Sequence, residues 1–179
     1  MAEPWRRAEI AATMKALVIR ESKQAIGTIK RAKNPILIVG HEAAVVEGNG
    51  KKPIDYAIEL SEKGKIPIVA TAQTVGEFLK RGFQPAAWMS AMDIGNRLSD
   101  PEWRLSGEGD GHDLAVFLGI PYNLQWTILS GLKHLAPHIK TISLDRFYHP
   151  HSNLSFPTLH IKVWHQKMEE IVRGVAGEG

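Results

Sequence analysis

Gly40-His41-Glu42 sets a glycine, an imidazole and a carboxylate directly after an unbroken apolar run, Pro35-Ile36-Leu37-Ile38-Val39. A strand that is apolar on both sides has both faces covered, so the run belongs to a parallel sheet between helices. Ligands of such sheets sit beyond the carboxyl ends of the strands. The same punctuation recurs at Thr71, with Gln73 beside it, at Gly119 and at Asp145. Backbone N–H groups converging near Gly40 and Gly119 could hold a phosphate, and Asp145 is placed to accept hydrogen bonds from a ribose or adenine. His41, Glu42 and Tyr122 are the only acid, base or nucleophile candidates near that cleft. The expected cofactor-binding set is therefore Gly40, His41, Glu42, Thr71, Gln73, Gly119, Tyr122 and Asp145, with no catalytic residue assigned.

The sharper motifs fail on inspection. Gly40 is followed by His-Glu-Ala-Ala, so the Gly-x-Gly-x-x-Gly fingerprint is absent. Gly48-Asn49-Gly50-Lys51-Lys52 lacks phosphate-loop spacing and reads as a turn before a helix. Gly109-Asp110-Gly111 resembles the metal-binding start of thiamine-diphosphate enzymes, yet it precedes a strand and no Asn-Asn pair follows. His134 and His138 have the i,i+4 spacing of a zinc pair, but Pro137 interrupts the helix between them and no third ligand is evident. His149 and His151 are read the same way. Ser130 sits in Leu-Ser-Gly-Leu, which is no nucleophile elbow. Cysteine is absent, which excludes disulfides and thiolate-held clusters; the expectation is no metal in this chain.

The elements that must carry these residues follow from periodicity. Residues 14–32 read as an amphipathic helix, with Leu17, Val18, Ala25, Ile26 and Ile29 inward. Pro53 opens a second helix, with Ile54, Ala57, Ile58 and Leu60 on one face, ending at Gly64. A strand at 66–70 precedes a threonine-capped helix at 75–81. A further helix is predicted over 85–98, with Ala87, Trp88, Ala91, Met92 and Ile94 inward. Residues 99–112 form a loop, in which Trp103 is the candidate interface anchor. Strand 113–118, helix 122–135, strand 141–144, strand 159–163 and helix 165–175 complete the pattern. Strand–helix alternation predicts an α/β fold: one Rossmann-like domain over 1–179, mainly parallel, with helices on both faces and flexible ends at 1–13 and 176–179.

Composition narrows the function classes. A 179-residue chain with 44% hydrophobic and 23% charged residues can bury one sizeable core. A net charge of +3 is a weak field, and no basic stripe is visible along the chain, so nucleic acid is not an expected partner. No apolar run reaches the ~18 residues of a membrane span, and the start has no signal-peptide pattern. No membrane is expected, and the chain is placed in the cytoplasm.

The order Pro35–Gly40, Lys65–Thr71, Asp113–Gly119 and Ile142–Asp145 resembles the central domain of thiamine-dependent oxidases and synthases, which in some members binds FAD without a glycine fingerprint. With its leading helix, the Gly40-His41-Glu42 turn and the run Asp145-Arg-Phe-Tyr-His-Pro-His-Ser-Asn-Leu, the chain is similar over residues 14–175 to one stand-alone family. That family is the epsilon subunit of the archaeal acetyl-CoA decarbonylase/synthase complex, within its carbon monoxide dehydrogenase component. The resemblance implies a large nickel–iron–sulfur partner subunit, two copies of each. It also implies a structural role or assistance to electron transfer to FAD; whether the isolated chain forms a homo-oligomer is left open. The alternatives are a stand-alone flavin or nicotinamide oxidoreductase and a scaffold with an empty cleft.

Overall fold

The computed structural model describes residues 15–45, 51–106 and 109–177. Seven strands form one all-parallel sheet: β1 (Leu17–Val18), β2 (Pro35–Val39), β3 (Ile68–Thr71), β4 (Ala87–Met89), β5 (Leu114–Leu118), β6 (Lys140–Ser143) and β7 (Leu154–Ser155). The helices are α1 (Ser22–Arg31), α2 (Pro53–Gly64), α3 (Val75–Leu79), α4 (Ala91–Ser99), α5 (Tyr122–Leu135) and α6 (Ile161–Ala176). Strand order is β1-β7-β6-β5-β2-β3-β4. From β2 the chain winds outward through β3 and β4, then returns to β5 on the other side of β2 and winds the opposite way. The reversal lies between β2 and β5, paired in register from Pro35 with Leu114 to Val39 with Leu118.

Alternation along the strands divides the core. Leu37, Val39, Val116 and Ile142 pack with Ala57, Leu60, Trp164 and Met168 on the face covered by α1, α2 and α6. Ile36, Ile38, Ala115 and Phe117 pack with Ile94, Ile128 and Leu132 on the face covered by α4 and α5. Helix α5 coincides with the predicted 122–135, and α2 begins at Pro53 and ends at Gly64 as expected.

Four expectations are corrected. Leu17 and Val18 do not belong to the first helix; they form edge strand β1, with the Leu17 N–H donating to Asn153 O at 2.9 Å. Leu17 is 70% exposed. Two residues are too few for periodicity to separate strand from helix. The helix predicted over 85–98 is strand β4 followed by α4, whose N-terminus is capped by Ser90 Oγ accepting the Asp93 N–H at 3.1 Å. Trp88 and Met92, expected inward, point out at 58% and 47% exposure. The strand predicted at 159–163 is absent: its last three residues are the first turn of α6, and the strand beside β6 is β7. The threonine before α3 is not a side-chain cap either; Thr71 and Thr74 hydroxyls bond each other at 2.8 Å. Trp103 lies partly buried against the α4–α5 core, its ring 5.3 Å from that of His112. Gly48-Asn49-Gly50 falls outside the described residues.

Candidate functional site: a recess at the ends of β5 and β6

The ends of β2 and β5, where the winding reverses, are sealed by backbone. Gly40 leads into a 3₁₀ turn, His41–Ala44, that folds over the end of β5. The Gly40 N–H donates to Leu118 O at 2.9 Å, and the Glu42 N–H donates to Gly119 O at 2.9 Å. The Gly119 N–H donates to Asp145 Oδ1 at 2.7 Å. A Cβ on Gly40 would overlap Gly119 O and stand 2.6 Å from Ile120 Cα. The glycines let two stretches of this chain touch each other. They leave no gap for a pyrophosphate between them, and their amides are already bonded. The residues therefore do not fit a dinucleotide whose phosphates lie on Gly40 and Gly119.

Beside this seal a shallow recess opens, with a volume of about 70 Å³. Glu42, Gly119, Tyr122 and Asp145, four of the expected residues, line it. His41 is exposed next to it but not among its lining. Thr71 and Gln73 lie apart at the end of β3, where Thr71 is tied to Thr74 and Gln73 faces solvent. Sequence reasoning missed Arg146, Phe147, His149 and Trp164 as walls. The first three follow Asp145 in the chain, so nearness to that strand end was a usable signal. Trp164 arrives from α6 and had none.

Asp145 organises the floor. Gln125 Nε2 donates to Ser143 Oγ at 2.9 Å, and that hydroxyl donates to Asp145 Oδ2 at 3.2 Å. His149 Nε2 is 3.9 Å from Asp145 Oδ2, too long for a hydrogen bond. The Tyr122 ring stacks on His149 at 4.4 Å, and its hydroxyl donates to Tyr148 O at 3.1 Å. Trp164 Nε1 donates to Leu144 O at 2.7 Å. His149 Nδ1 is buried without a partner.

Burial pushes the Asp145 carboxyl up to about 6, against the pull of the Gly119 amide, and the Glu42 charge adds to the rise. Burial pushes the His149 imidazole down to about 4, with His151 adding to the fall. At neutral pH the floor thus holds a charged carboxylate beside a neutral imidazole. The hydroxyl within reach of Asp145, that of Ser143, is fully buried and does not line the recess, so what Asp145 and His149 present to the recess is hydrogen-bond acceptors. Among the described residues no group of three or more His, Asp or Glu side chains is placed to hold a metal ion.

The two groups act oppositely on stability. Asp145 binds its proton more tightly folded than unfolded, so its contribution falls as pH rises from about 4 to about 6. His149 binds its proton less tightly folded, so its contribution rises between about 4 and 6.5. In Asp145→Asn only the histidine remains. Urea unfolding across that range should show the variant gaining stability with pH more steeply than the parent. Parallel curves would contradict the assignment.

A family model described as CO dehydrogenase beta subunit/acetyl-CoA synthase epsilon subunit matches residues 1–172. The acetyl-CoA decarbonylase/synthase complex subunit epsilon of Methanothermobacter thermautotrophicus is 31% identical over 169 residues, 94% of this chain and 93% of that protein. That of Methanothrix soehngenii is 34% identical over 148 residues, covering 80% and 76%. Subunit epsilon 1 of Archaeoglobus fulgidus is 35% identical over 154 residues, covering 85% and 79%.

Proposed function

Because the chain belongs to the CO dehydrogenase beta subunit/acetyl-CoA synthase epsilon subunit family, we propose that it is a non-catalytic subunit of an acetyl-CoA decarbonylase/synthase complex. It stabilises the large nickel–iron–sulfur subunit of the carbon monoxide dehydrogenase component, two copies of each. The supporting observation is Trp88, 58% exposed on the outer strand β4, followed by Met92, 47% exposed in the first turn of α4. Large side chains in the open suit a surface that another chain covers.

Co-expression with the large subunit, followed by native mass measurement, tests the reading. The parent should appear in a two-plus-two assembly; free monomer alone would overturn it. Trp88→Ala should weaken the association by ~2 kcal/mol or more, about thirtyfold. The isolated variant should unfold within ~0.5 kcal/mol of the parent, as surface substitutions do.

Assistance to electron transfer to FAD is the second reading, favoured by the aromatic walls Tyr122, Phe147 and Trp164 of the recess. A flavin ring against those side chains would lose fluorescence on titration. Unquenched flavin with the parent chain would leave the structural role alone.

A further inference from the structure

Two grooves flank α1. One lies toward the amino ends of the strands and is lined by Lys15, Arg31, Lys133 and Lys140, with Asp113 the acid among them. The other runs between α1 and α6 and is lined by Arg20, Lys23, Lys30, Lys167 and Arg173, with Glu21 and Glu170. Nine lysines and arginines thus face three acids, a local excess of six where the whole chain carries +3. Among the described residues outside the two grooves, lysines and arginines equal aspartates and glutamates in number, so the excess is confined to the grooves. Two of the three acids are engaged. Asp113 accepts the Lys33 and Asn34 N–H groups at 2.8 and 2.9 Å, and Glu170 accepts the Ser22 hydroxyl at 2.6 Å.

We propose that this basic belt around α1 is a docking surface for an acidic face of a partner protein. The proposal rests on the reading that the chain works as a subunit. It places the contact around the helix that precedes β2, at the amino ends of the strands in one groove and along α6 in the other. The belt is long rather than focused: α1 alone spans about 15 Å, and its cations are spread along both sides instead of converging on one phosphate. Each groove also has apolar walls, Leu17, Pro137 and Leu154 in one and Ile26 in the other. Leu17 is 70% exposed. Among the described residues no Phe, Tyr or Trp lines either groove, so they offer no stacking platform of the kind a single-stranded nucleic-acid site uses. Charge with apolar contact and no base stacking fits an acidic protein face.

The test compares the full-length chain with Lys23→Glu/Lys140→Glu, one reversal in each groove, and with Lys63→Glu/Lys162→Glu elsewhere. All four lysines are exposed, and both doubles change the net charge equally. A short polyglutamate and an oligothymidylate of equal length serve as probes at low and high salt. The belt double should bind polyglutamate ~10-fold or more weaker than the control double, and high salt should erase the difference. Equal losses in the two doubles would overturn the proposal, and so would tighter binding of oligothymidylate than of polyglutamate. Co-expression with the large subunit separates the two readings. If the parent assembles and the belt double assembles equally well, the belt is not the docking face and the subunit role stands. If the parent does not assemble, the subunit role fails while the polyglutamate comparison still decides whether the belt recognises acidic chains.

Discussion

Gly119→Ala is expected to be the most damaging single methyl that can be added near the site. Gly119 has φ +72, in the left-handed region that side chains avoid. Its Cβ would overlap Ala43 N and lie 2.5 Å from Ala43 Cβ and 2.7 Å from Ala43 Cα. The obstacle is backbone, in a turn held by the Glu42 N–H bond to Gly119 O, so it cannot rotate away. Overpacking of ~1–3 kcal/mol adds to backbone strain of ~1–3 kcal/mol. A sum near ~4 kcal/mol corresponds to a Tm about 8–16 °C lower for a domain of this size. Calorimetry of the purified chain measures it. A variant melting within ~2 °C of the parent would mean the seal between β2 and β5 is loose, reopening those glycines to a ligand. Gly40→Ala meets the same seal from the other side but has no left-handed backbone to strain, so it should lose only the overpacking part, ~1–3 kcal/mol.

Trp164→Ala should cost about as much for a different reason. The ring is 2% exposed, meets Tyr56 edge-on at 5.7 Å and packs with the core residues of α2 and α6. Truncating a buried tryptophan typically removes ~3–5 kcal/mol, because the cavity collapses only in part. Leu144 O, which accepts from Trp164 Nε1 at 2.7 Å, also loses its partner. Trp164→Phe separates the two effects. It keeps most of the ring and drops the donor, and should cost ~1–3 kcal/mol. Equal losses for both variants in urea unfolding would show that the hydrogen bond carries the stability rather than the packing. Either change also reshapes one wall of the recess, so partner assembly should be measured at a temperature where both variants are folded.

Much of the architecture was legible along the chain because the strong signals are local. Pro35–Val39 and Leu114–Leu118 are continuous apolar runs, and only a sheet covered on both faces accommodates them. Pro53 and Gly64 bracket α2, and Tyr122–Leu135 is long enough for its helical period to be unambiguous. The errors sit at short elements. Leu17–Val18, Ala87–Met89 and Leu154–Ser155 are two or three residues each, and pairing with a neighbouring strand makes them strands.

The sequence by itself determined the α/β class, the central strands, and the four strand ends at Gly40, Thr71, Gly119 and Asp145, because each depends on residue types within a few positions. The tertiary structure alone decided what those ends do. It pressed Gly40 and Gly119 onto each other, closed Thr71 on Thr74, and left Asp145 with Glu42, Tyr122, His149 and Trp164 around one recess. It also gathered into one belt nine lysines and arginines that look scattered along the chain. Contacts between residues a hundred positions apart follow from sheet order and crossover, which no local spacing encodes.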